Sequence, residues 1–115
     1  MNRDADCIFC KIIAGDFGTE FVYEDDYVVA FDDVKPQKPV HTLVVPRQHV
    51  ENLEDNPSPE LLGQVFAAAA KVARIKGVDK SGYRIIQNNG AGAGQTVFHL
   101  HVHVLGGKTF TEGMV

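Results

Sequence analysis

The sequence is poor in several things, and each shortage narrows the answer. No apolar run approaches the roughly 20 residues needed to cross a bilayer, so no membrane-spanning helix is expected. Positive charge is not in excess. The formal net charge is -4 over 115 residues, which excludes bulk electrostatic attraction to nucleic acid. The polar start, Met1 to Asp6, leads into no secretory apolar region, so a cytoplasmic location is the expectation. Cysteine is limited to Cys7 and Cys10, too few for a disulfide framework. At that close spacing in a cytosolic chain they read as a metal or redox feature. Repeats, linkers and low-complexity segments are also missing.

What remains is ordinary for a folded globule, with 44% hydrophobic and 23% charged residues. The length fits one domain with one core. Residues 1–6 are expected to fray. Ile8, Phe9 and Ile12 fall on one face of a short helix over 7–14, with Gly15 to end it. Phe21-Val22-Tyr23 and Tyr27 to Phe31 read as a hairpin split by Glu24-Asp25-Asp26. Lys35 to Pro39 is a loop. His41 to Val45 is a third strand, stopped by Pro46. Ser58 and Pro59 suit the N-cap and first position of a long helix. Its apolar residues, Leu61, Leu62, Val65, Phe66, Ala69, Val72 and Ala73, recur every three or four positions, and Gly77 suits its end. Tyr83 to Gln87 and Phe98 to Leu105 complete five strands. This segregated order predicts an α+β fold with an antiparallel sheet, one long helix and one short one.

Three of the five histidines fall at 99, 101 and 103. On a strand, alternate side chains share a face, so the three imidazoles line up while Leu100, Val102 and Val104 take the other face. Three readings are open: solvated or hydrogen-bonded strand histidines, a pure metal chelate, or nucleophilic catalysis. For the last, a neutral imidazole with one nitrogen held by an acceptor presents a lone pair on the other. The middle residue, His101, is flanked on both sides and best placed to be held so. Cys7 and Cys10 could share one Zn(II) with two of the histidines at 41, 49, 99, 101 and 103. A redox motif or two buried thiols are the alternatives. Gly90-Ala91-Gly92-Ala93-Gly94 is not a dinucleotide fingerprint, because Gln95 stands where the third glycine belongs and no helix follows. It reads as a backbone nest suited to phosphate, or as a plain connection.

Together these pieces resemble the histidine-triad superfamily, in its branch of small nucleotide-binding, phosphoramidase-like proteins. The signature stands here as His99-Leu-His-Val-His-Val-Leu105. Further similar segments are Asp6 to Ile13, Tyr23 to Asp26, Ala30 to Asp33, Pro36-Gln37, His41 to His49 and Gly94 to His99. The resemblance covers about residues 6–107 of a single 1–115 domain, leaving 108–115 as a variable tail. It implies a homodimer whose sheet continues across two subunits. It implies a purine nucleotide or nucleotide conjugate as ligand, with His101 attacking the α-phosphorus and His103 at the phosphate and leaving group. Gly94, Gln95, Thr96 and Val97 would lie along the nucleotide, with Gln95 and Thr96 at the phosphate and Asn88 nearby. Asp33 would accept ribose hydroxyls. Ile8, Phe9, Ile12, Phe31 and Val34 would form the nucleoside pocket. A structural zinc ion on Cys7, Cys10, His49 and His99 is also implied, leaving His101 and His103 for chemistry. The expected activity is hydrolysis, or nucleotidyl transfer, of a nucleoside 5'-phosphoramidate through a nucleotidyl-histidine. A regulatory nucleotide binder and a zinc-bound structural module are the competing classes. The tail lacks the tryptophan and proline-rich end of close eukaryotic relatives.

Overall fold

The computed structural model describes residues 5–113. Of the segment expected to fray, only Ala5 and Asp6 are described, in an exposed turn, and residues 1–4 lie outside the described part. The short helix α1 covers Ile8–Ile13. Its N-cap is Cys7, whose sulfur accepts the Cys10 N–H at 3.4 Å. The hairpin is β1 (Tyr23–Glu24) and β2 (Val28–Asp32), paired Tyr23 to Ala30. Asp25 shapes the turn: one carboxylate oxygen accepts the N–H groups of Tyr27 and Val28 at 2.8 and 2.9 Å. The third strand, β3, runs Val40–Pro46.

The long helix, α2, spans Pro59–Ile75. Ser58 Oγ accepts the Leu61 N–H at 3.1 Å, the capping bond anticipated from the sequence. Gly77 ends it at φ 74, a left-handed conformation that glycine adopts without strain. Leu61, Val65, Ala68, Ala69, Val72 and Ala73 form its buried stripe. The strand β4 is Tyr83–Ile86, and the last strand, β5, is Val102–Gly106. The sheet is antiparallel throughout, in the order β1-β2-β3-β5-β4.

Residues directly opposite each other in the ladder share a face. One face carries Val28, Ala30, Val44, Val102 and Val104, and α2 covers it. The other carries Val29, Phe31, Leu43 and Val45, and packs on Phe9 and Cys10 of α1. The sheet is therefore a middle layer with a different helix on each side. Gly106 lies where β5 meets the turn after α2, and a Cβ there would stand 3.0 Å from the Val78 side chain, which would have to give way.

Boundaries differ from expectation at two strands: β1 begins at Tyr23, not Phe21, and takes in Glu24, which was expected in the turn. The ladder of β5 begins at Val102, not at Phe98. The strand that would pair with the earlier residues ends at Pro46, which has no N–H to give. The Pro46 carbonyl is instead taken by His99 Nε2 at 2.8 Å. The Leu100 N–H goes to the Val50 carbonyl at 2.7 Å. His99 and His101 thus precede the ladder. The alternation survives, since Leu100 packs in the α2 core while His99 and His101 meet Phe9 of α1. Among the described residues no helix is long and apolar enough to cross a membrane.

Candidate active site and metal centre

The α1 face of the sheet holds a cleft of about 390 Å³. Ten of the residues expected at a nucleotide line it: Ile8, Phe9, Ile12, Phe31, Asp33, Val34, Thr96, Val97, His101 and His103. Thr19, Asp32 and Leu43 also line it and were not anticipated. Asn88, Gly94 and Gln95 are not among its lining residues. Gln95 is 3% exposed and its amide is fully committed. Its oxygen accepts Gly90 N–H at 2.8 Å and the Asn52 amide at 3.0 Å. Its nitrogen donates to the carbonyls of Glu51 and Val97 at 2.7 and 3.1 Å. The side chain braces the glycine loop against residues 51–52, and Thr96 is the member of that pair that reaches the cleft.

His101 Nδ1 lies 2.7 Å from the His99 carbonyl oxygen. A carbonyl only accepts, so Nδ1 carries the hydrogen and Nε2 keeps its lone pair. Burial pushes the His101 pKa down, against the pull of that carbonyl and of Asp33. The ring is therefore neutral at pH 7, as a nucleophile requires.

His103 is wired to a fourth histidine. Gln37 N–H donates to His41 Nδ1 at 3.0 Å, which puts the His41 hydrogen on Nε2. That nitrogen is 2.8 Å from His103 Nδ1, which accepts. His103, neutral because burial and the neighbouring imidazoles lower its pKa to about 4, then carries its hydrogen on Nε2. Asp33 Oδ2 sits 3.5 Å from His41 Nε2, and its charge works against the lowering at His103. The adjacent Asp32 serves the other face, binding Thr42 and Lys76. The spacing of Asp33, His41 and His103 also resembles a metal site. The Gln37 hydrogen bond argues against one, because it leaves His41 Nε2 protonated. Sequence reading had left His41 ambiguous. The signal was strand parity: Leu43 pairs with His103, so His41, two residues away, shares its face.

Cys7, Cys10, His49 and His99 form a separate cluster, with their ligand atoms all within 4.8 Å of one another. Neither cysteine forms a disulfide. Cys7 Sγ is 3.3 Å from His99 Nδ1, Cys10 Sγ is 3.3 Å from His49 Nδ1, and the two Nδ1 atoms are 3.1 Å apart. Edges of a tetrahedral S₂N₂ zinc site are roughly 3.3–3.8 Å, given the usual metal–ligand lengths. The fit extends outward. His99 Nε2 donates to Pro46 O, which leaves Nδ1 a lone pair aimed at the centre, the usual second-shell arrangement of a metal-bound histidine. Burial lowers the His99 pKa to about 4, so the ring is neutral, as a ligand must be. Burial raises the Cys7 thiol pKa, a shift that a bound cation would reverse.

Comparison with known proteins places the chain in one family. The family model described as HIT domain matches residues 15–110. The purine nucleoside phosphoramidase of Escherichia coli (strain K12) is 40% identical over 103 residues, covering 88% of this chain and 87% of that protein. A HIT family hydrolase from Clostridium thermocellum superposes with TM-score 0.93 at 40% identity, covering 97% of this chain and 99% of that one. A histidine triad protein from Clostridium difficile gives TM-score 0.91 at 43% identity, covering 99% and 100%.

Proposed function

The chain belongs to the HIT domain family, and we propose that it is a nucleotide-binding hydrolase that cleaves a nucleoside 5'-phosphoramidate, or a related nucleotide conjugate, at the α-phosphate. The observation that carries the reading is the hydrogen bond from His101 Nδ1 to the His99 carbonyl, which leaves Nε2 a lone pair on a ring that lines the cleft. In the first step Nε2 forms a bond to the α-phosphorus as the bond from phosphorus to the leaving amine breaks. His103 Nε2–H hydrogen-bonds to the departing nitrogen, which takes a proton from solvent as it leaves. In the second step water attacks the phosphorus and returns a proton to solvent as the bond to His101 Nε2 breaks and releases the nucleotide. The apolar wall from α1 and Phe31 suits a base, and the Asp33 carboxylate suits ribose hydroxyls.

The test is release of AMP from adenosine 5'-phosphoramidate. His101→Ala should abolish it while the far-ultraviolet dichroism stays native, and the wild type should yield a nucleotidyl adduct at His101 by mass spectrometry. Normal turnover in His101→Ala would sink the assignment. We also propose a structural zinc ion on Cys7, Cys10, His49 and His99, supported by the donor set and by the Pro46 carbonyl that holds His99 Nε2. Zinc would tie α1 to the loops holding His49 and His99. Stoichiometric zinc surviving in Cys7→Ser would refute that site. A homodimer is part of the same proposal, with β4 as the outer strand to which a second copy would add. Sedimentation at a monomer mass would remove it.

A further inference from the structure

We infer that Phe9 is the positioning residue through which the cluster of Cys7, Cys10, His49 and His99 holds the nucleophile and the wall of the cleft; the inference rests on the hydrolase reading above. Phe9 lies between the two cysteines in sequence, on a helix of six residues. A helix that short has no stability of its own and keeps its place through its contacts. Its buried residues are Phe9 and Cys10.

The Phe9 ring meets three others edge-on. It stands 5.0 Å from His101 at 83°, 5.6 Å from Phe31 at 79°, and 6.1 Å from His99 at 62°. These are favourable quadrupolar arrangements. The His101 imidazole therefore has two restraints. Its Nδ1–H is held by the carbonyl of His99, a member of the cluster. Its ring is held by Phe9, whose chain neighbours Cys7 and Cys10 are two more. A single hydrogen bond leaves a ring free to tilt about that bond, and the Phe9 contact removes the tilt. Ile8 and Ile12, on the same helix, line the cleft beside it. Whatever closes the four-residue cluster thus fixes the nucleophile and the apolar wall together. Opening it releases both.

The experiment compares the protein as isolated with zinc, after stripping by a chelator, and after reloading. It does so for the wild type, Phe9→Ala and Phe9→Leu. Turnover of adenosine 5'-phosphoramidate, the dissociation constant for AMP, and ¹⁵N chemical shifts of the histidine rings without nucleotide are the readouts. Stripping should lower wild-type turnover about tenfold, the lower end for losing second-shell support, and reloading should restore it. Phe9→Ala should retain zinc, lose turnover to a similar degree, and lose less on stripping than the wild type does, because the Phe9 part of the path is already gone. Phe9→Leu, which keeps bulk, should recover part of the loss. The His101 ring should show one tautomer when loaded and exchange averaging when stripped. Losses that multiply independently, or His101 shifts indifferent to metal, would overturn the inference, as would a protein that takes up no metal. If the loaded wild type neither binds AMP nor turns over, the hydrolase reading fails. The ring shifts then decide the coupling by themselves.

Discussion

Gln37 donates its backbone N–H to His41 Nδ1, and the consequences run through two further nitrogens. A side-chain donor could swing away, but a main-chain N–H cannot without moving the loop. His41 is thereby kept as a donor toward His103, and His103 as a donor toward the cleft. The orientation is what a hydrogen-bond donor to a leaving amine needs. Replacing His41 by Asn should lower kcat by about a hundredfold, the smaller end for losing a positioned donor to developing charge, with little change in AMP affinity. Steady-state kinetics with isothermal titration would separate the two. An unchanged kcat would mean that His103 works without His41. Asp33→Ala should act the other way, weakening AMP binding by about tenfold through lost hydrogen bonds to a charged acceptor. An unchanged dissociation constant would remove Asp33 from the ribose.

At the scale of elements, legibility followed the range of the interaction. The caps of α2 could be read directly, because Ser58, Pro59 and Gly77 act within a turn of themselves. Ser58→Ala should cost about 1 kcal/mol in urea unfolding without altering turnover. A neutral substitution would show that water replaces the cap. The start of β5 could not be read. Three partners distant in sequence or space fix it: the missing Pro46 N–H, the Pro46 carbonyl on His99, and the Val50 carbonyl on Leu100. The glycine loop was also only half legible. Its phosphate-like composition was visible, but Gln95 turning inward to bind Glu51 and Asn52 depends on a segment more than forty residues earlier. His99 shows both cases in one residue. Its place in an alternating row was plain, whereas its pairing with Cys7 needed the fold to bring 92 residues of chain back on themselves.

Across the whole molecule, the sheet divides labour by face, with α2 packing on one side and the histidines of the cleft and of the cysteine cluster on the other. That division makes stability pH-dependent in a defined direction. Folded His103 binds its proton only near pH 4, and the unfolded side chain near 6.5. The unfolded state therefore takes up protons first, so stability is full above pH 6.5 and falls as pH drops toward 4. The melting temperature should already decline between pH 6.5 and 5, above the range of ordinary carboxylates, and His103→Asn should remove part of that decline, His99 with its similarly lowered pKa supplying the rest. A flat wild-type profile there would contradict the burial assigned to His103. The cleft itself stays wet. Val34 is 92% exposed on its rim and Ile8 46%. Water shed from such oily surface changes the heat capacity of the system. The enthalpy of nucleoside binding should therefore grow more negative with rising temperature, a calorimetric slope that a ribose–phosphate without a base would largely lack.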